Sequence, residues 1–218
     1  MASKPMSTGA PREKAHEPTL SAESSDASPE QSSGDYLDRL MRRDSFAALW
    51  PLFAKATKPA KELTESFSAL VHLRPFLSAN EPCRVIHVGD GAHARTAAMF
   101  ALKTQAENIS VDPIINTQIV SEWQQTYGIK RFAWRAARIE DVADELNALP
   151  SMRVLVTFVH AHVNTDRTLD LLRWDAAFCL ACCVPGIQLT QSRALHSAGR
   201  DLQVLSPDRQ FEVYTRAS

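Results

Sequence analysis

The sequence predicts an α/β protein. The expected form is an open, mostly parallel Rossmann-like sheet with helices on both faces and a C-terminal antiparallel hairpin, preceded by a small helical segment and a disordered tail. Three observations predict it. From residue 83 onward, short β-branched apolar runs alternate with segments whose apolar residues recur at helical spacing. The first such unit carries a glycine turn, Gly89-Asp90-Gly91, between strand and helix, and the next strand ends in an acid, Asp112. The alternation stops near residue 200, where two apolar stretches flank a Ser-Pro-Asp-Arg turn.

Residues 1–34 contain no aromatic side chain and are rich in Ser, Pro, Glu and Ala, so they bury too little apolar surface to offset the entropy of ordering. Disorder is expected there, with Ser21, Ser24, Ser25, Ser28, Ser32 and Ser33 as candidate phosphorylation sites. Residues 35–80 form a helical extension. Tyr36, Leu37, Leu40 and Met41 recur at helical spacing, then Phe46, Leu49, Trp50, Leu52 and Phe53. A longer helix opens at Pro59, carries Leu63, Phe67, Leu70 and Val71, and ends at Pro75. These stripes need a cover, either the flank or mouth of the following domain or a protein partner.

The domain proper spans residues 81–218. After the strand ending at Val88, Ala94, Ala97, Ala98, Ala101 and Leu102 mark a helix, and a second strand runs to Asp112. A helix over 114–127 is stopped by Gly128, a short strand covers 131–135, and a helix over 139–149 is stopped by Pro150. The β-branched run 152–159 suits a central strand buried on both faces. A helix over 165–172 and a strand over 176–182 follow, and residues 202–205 and 211–215 are expected to pair as the closing hairpin.

Composition bounds the function. With 44% hydrophobic and 22% charged residues the chain can build an ordinary core, and a net charge of −1 supplies no general pull toward nucleic acid or membrane. No stretch approaches the roughly 20 apolar residues of a membrane span. Cys83, Cys179, Cys182 and Cys183 then suit a reduced, cytoplasmic protein in which cysteines act as small buried hydrophobes.

A tight glycine turn lets a ligand approach the backbone, and the helix after it points free N–H groups and partial positive charge at that ligand. An acid at the tip of the next strand can accept hydrogen bonds from ribose hydroxyls. Gly89, Asp90, Gly91 and Asp112 are therefore the candidate cofactor-binding residues. For Asp112 the other reading is a cap on a helix that places Pro113 first. His160 and His162, at the carboxyl end of the fourth strand, are the candidate catalytic bases; strand alternation would send them to opposite faces, leaving at most one toward the site. Zinc is not expected, because the spacing of Cys179, Cys182 and Cys183 against these histidines is poor. Lys130, Arg131, Arg135 and Arg138, interleaved with Phe132 and Trp134, suit either RNA contact or a solvated edge strand.

The layout resembles the class I S-adenosylmethionine-dependent methyltransferases over about residues 83–216. Val85-Ile-His-Val-Gly-Asp-Gly91 stands for the first motif and Ser110-Val-Asp112 for the second. The resemblance implies S-adenosylmethionine as cofactor, with Gly89, Gly91 and Asp112 in contact with it. Val159-His-Ala-His162, Thr165-Asp166 and Ala181-Cys-Cys-Val-Pro185 are similar to a branch that includes tRNA methyltransferases, which implies RNA as substrate. His87 stands where the family usually has an acid, and His93 where it has a third glycine. These departures leave open an active enzyme and an inactive methyltransferase-fold module with a binding or structural role. A nicotinamide-dependent oxidoreductase is disfavoured by the hairpin and the missing third glycine.

Overall fold

The computed structural model describes residues 35–77, 81–180 and 193–216. The tail and the Cys182-Cys183 motif lie outside the described residues. The strands are Cys83–Val88 (β1), Glu107–Val111 (β2), Phe132–Arg135 (β3), Arg153–Val159 (β4), Ala176–Leu180 (β5), Ala194–Arg200 (β6) and Gln210–Thr215 (β7). They form one sheet in the order β3-β2-β1-β4-β5-β7-β6. β1 to β5 are parallel, while β7 runs antiparallel to β5 and to β6. The order reverses between β1 and β4, the place where open α/β sheets leave a crevice at the carboxyl ends of their strands.

The helices are Asp35–Met41 (α1), Ser45–Phe53 (α2), Pro59–Leu73 (α3), Arg95–Lys103 (α4), Thr117–Tyr127 (α5), Ile139–Ala148 (α6) and Thr165–Leu171 (α7). Alternation along the strands sorts the core into two layers. Val85, Leu155, Phe178 and Val213 face α1 to α5, with Phe53, Leu63, Phe100 and Trp123. Ile86, Val156, Phe158 and Ala177 face α6 and α7, with Val142, Leu146 and Leu169. α4 and α5 arise from the crossovers on the β1 to β3 side, so the face over β4 and β5 has no crossover helix of its own. α3 fills that place, against β4 and β5. The N-terminal helices thus cover the sheet flank, one of the two expected roles.

α3 is buried almost all round, so its polar groups need partners. Thr64 Oγ1 accepts the Leu205 N–H, and Ser66 and Thr96 share a hydrogen bond of 3.2 Å. Asp201, after β6, gathers the rest. Its Oδ2 accepts from the Tyr36 hydroxyl (2.8 Å) and the Ser68 hydroxyl (2.6 Å) and meets His72 Nε2 at 3.2 Å, and its Oδ1 accepts the Gln203 N–H. Burial raises the carboxyl's pKa, but the bonds from His72, Ser68, Tyr36 and Gln203 outweigh it and hold the group below its ordinary range.

Two boundaries differ from expectation. The partner of residues 211–215 is β6, Ala194–Arg200, rather than 202–205. β6 lies at the sheet edge with most of its residues exposed, so it shows no alternation to read; the apolar signal at 202–205 belongs to a loop that sinks Val204 into the core. α5 starts at Thr117, not near 114. Asn116 caps it by accepting the Ile119 N–H, which leaves Pro113 outside the helix. No helix among the described residues is long and apolar enough to cross a membrane.

Candidate functional site

Gly89 ends β1 at φ +70° and Gly91 follows at φ +71°, a left-handed backbone that side chains strain to adopt. A β-carbon on Gly89 would come within 2.7 Å of the Ala161 β-carbon, so glycine here lets the β4–α7 loop close onto the β1–α4 loop. At Gly91 the same position is open space. Asp112, just past β2, is buried and held at both oxygens: Oδ2 accepts the Gly91 N–H and Oδ1 the Ile114 N–H, each at 2.9 Å. The alternative reading, a cap on a helix opening at Pro113, does not hold, because α5 starts at Thr117 under an Asn116 cap. Each Asp112 oxygen keeps a further lone pair.

A cleft of about 580 Å³ opens at this switch point, in the size range of small-molecule sites. Its wall runs from Gly89 and Asp112 through Ile114 and Arg138 to His160 and His162. Ile114 is 67% exposed there, an apolar side chain held in the open at the mouth of a concave site. Both histidines line the cleft, so the expectation of opposite faces fails. β4 ends at Val159 and His160 takes φ +51°, so neither residue follows strand alternation.

Asp90 turns away from this cleft. Its carboxylate accepts the Thr96 and Ala97 N–H groups (2.8 and 3.0 Å) and the Ser110 hydroxyl, which caps α4 from six residues upstream. Burial pushes its pKa up to about 6 against these bonds, so at neutral pH a fixed anion occupies the N-terminus of α4. His87 is wholly inside. Its Nε2 donates to Asn108 Oδ1 at 3.2 Å, its Nδ1 accepts from Thr157 Oγ1 at 2.9 Å, and burial drives its pKa down to about 3. His93 turns to Arg95, and burial, Arg95 and Lys55 lower its pKa. Arg95 itself is spent on Glu62 and the Leu52 carbonyl.

Neither described cysteine offers a nucleophile: burial pushes Cys83 up to about 11 and raises Cys179 as well. Among the described residues no group of three His, Cys, Asp or Glu side chains is placed to hold a metal. On β3, Phe132 is core and Trp134 packs against the core, while Arg135 pairs with Glu145.

No protein-family model and no curated protein matches the sequence. Solved structures do match. A point mutant of MtNAS aligns over 85% of this chain and 70% of its own, with a TM-score of 0.55 and 11% identity. The same mutant in complex with S-adenosylmethionine aligns over 85% and 76%, with a TM-score of 0.53 and 9% identity. The Escherichia coli protein yhhF, described as a candidate methyltransferase, aligns over 71% and 86%, with a TM-score of 0.50 and 11% identity. The chain shares their fold. At these identities the likeness extends to the fold and no further.

Two cleft features escape a reading of the sequence. Ile114 looks like the start of a helix and is instead a loop residue on the rim. Glu65, which meets the cleft residue His160 from behind on α3, sits between stripe residues Leu63 and Phe67 and looks like any solvent-facing acid.

Proposed function

We propose that the cleft is the nucleoside site of an S-adenosylmethionine-dependent methyltransferase. The observation that carries this reading is Asp112: a buried carboxylate, fixed by two backbone N–H groups, with lone pairs left at the floor of the cleft. Those lone pairs suit vicinal ribose hydroxyls, and Ile114 with Ala137 and Ile139 offers apolar surface for a base. Asp90 narrows the choice. The N–H groups that would receive a pyrophosphate already hold a carboxylate, so a nucleoside without phosphate fits and a dinucleotide does not.

When bound, S-adenosylmethionine supplies an electrophilic methyl group on a sulfonium that leaves as a neutral thioether. The chain's own task is then placement, exclusion of water and removal of the acceptor's proton. His160 is the proposed base and His162 stands at the rim. RNA is the proposed acceptor class, with Arg138 lining the cleft; Lys130 and Arg131 are exposed at the other end of β3 and do not add to this site.

The second reading is a methyltransferase-fold module without catalysis, favoured by His87, which is sealed in the core where the resembled family has an acid. Thermal-shift titration with S-adenosylmethionine and S-adenosylhomocysteine separates the two. Ligand at about 100 times its dissociation constant adds roughly 2.7 kcal/mol, worth several degrees. A shift that vanishes in Asp112→Ala supports the site. No shift in a cooperatively melting wild type overturns it in favour of the module.

A further inference from the structure

Helix α3 brings a buried carboxylate against His160, a residue of the cleft wall, from outside the strand–helix alternation. Glu65 is 2% exposed, and its Oε1 stands 2.7 Å from Nε2 of His160 and 2.8 Å from the Lys61 ammonium one turn earlier. Oε1 and Nε2 are both sealed from solvent, and at this separation neither atom has a partner in hydrogen-bond geometry, so the contact is an approach of charge to ring. Taking a carboxylate out of water is costly unless partners meet it. The neighbouring polar residues of α3 are spent elsewhere: Thr64 on Leu205, Ser66 on Thr96 and Ser68 on Asp201 tie the helix to its surroundings. Glu65 instead touches the cleft wall. At the other end of that contact, His160 holds a left-handed backbone at φ +51°, which strains a residue with a β-carbon. A buried acid and a strained backbone converge on one imidazole that lines the cleft.

We infer that Glu65 is a positioning residue for His160. It holds the ring so that Nε2–H faces the carboxylate and Nδ1 presents its lone pair to the cleft. This rests on the proposed role of His160 as base. The acceptor's O–H or N–H proton passes to Nδ1 as the acceptor's lone pair forms its bond to the methyl carbon. The imidazolium that results lies against the Glu65 carboxyl group, with the Lys61 ammonium beside it. Asp112, Arg138, Glu140 and His162 are the other titratable groups facing this space.

Glu65→Gln keeps the side-chain volume and removes the charge. Nitrogen-edited NMR of the histidine rings reads the His160 tautomer, and the rate of His160 carbethoxylation by diethyl pyrocarbonate, read by peptide mass spectrometry, reports its free lone pair. The expected wild-type ring is a single Nε2–H tautomer. Glu65→Gln is expected to mix the tautomers and slow the reaction about threefold, the equivalent of an ion-pair contact of modest strength. Glu65→Asp, which keeps the charge, recovers part of that rate. A wild-type ring in the Nδ1–H tautomer overturns the inference without any variant, and so does an unchanged tautomer and rate in Glu65→Gln. Calorimetric titration of the wild type with S-adenosylhomocysteine judges the cofactor reading separately: absence of heat removes that reading, while tautomer and rate still decide the role of Glu65.

Discussion

His87 shows how a single residue couples the core to pH. Asn108 Oδ1 can only accept, because the Asn108 amide nitrogen donates to the Ala106 and Arg131 carbonyls; Nε2 therefore carries the proton and the ring is neutral. With the native pKa near 3 and the unfolded value about 6.5, only the unfolded chain binds this proton between those limits. Stability then rises with pH in that window and is lost as pH falls through it. Asp90 acts with the opposite sign between about 4 and 6, since its native carboxyl holds a proton that the unfolded chain has released. Comparison with His87→Gln isolates the histidine, because Asp90 is common to both proteins. Wild type is expected to be the more stable near pH 7.5, with the gap narrowing by about 2 kcal/mol at pH 5 in denaturant melts. A gap unchanged between the two conditions would contradict a neutral buried ring. At this scale the sequence was partly legible. The left-handed turn at Gly89 and Gly91 and the position of Asp112 just past β2 follow from spacing. The directions of Asp90 and His87 do not, because the first depends on which donors the α4 N-terminus leaves free and the second on which residues stand opposite in the register.

Among elements, α3 and the loop after β6 are joined through Asp201. Removing this carboxylate strands the hydroxyls of Tyr36 and Ser68 and the Gln203 N–H in the interior, whereas removing one donor leaves the remaining bonds intact. Asp201→Ala is expected to cost about 2–4 kcal/mol, and Tyr36→Phe or Ser68→Ala about 1 kcal/mol each, in urea unfolding at neutral pH. Because the native pKa of Asp201 is depressed, its contribution is present above the ordinary carboxylate range and is lost as pH falls through it. An Asp201→Ala cost no greater than that of Tyr36→Phe would remove Asp201 as the centre of the network. Elements buried on both sides, such as β1 and β4, were legible because β-branched runs with glycine or proline at their ends have few other readings. β6 was not, since an exposed edge strand needs no apolar alternation, and the loop at 202–205 carried the apolar residues instead.

For the whole molecule, the helices before residue 81 complete one face of the sheet. Tyr36, Leu40, Leu49, Leu52, Phe53, Leu63 and Leu73 are buried in the same layer as Val85, Leu155 and Phe178. Each such side chain contributes about 1.5–3 kcal/mol, so their loss exceeds the stability of an ordinary domain. A chain of residues 81–218 is expected to lack a cooperative melt and to bind hydrophobic dye, while residues 35–218 melt cooperatively; a cooperative melt of the shorter chain would show that the helices are dispensable. The strand order has a kinetic side as well. β7 lies between β5 and β6, so among the described residues the earlier of the last two strands pairs only with the later one. During synthesis, residues 194–200 emerge before β7, the strand they pair with. Their backbone stays unpaired until residues 210–215 arrive, and Leu195 stays exposed even afterwards, so this segment is the edge through which neighbouring nascent chains would pair.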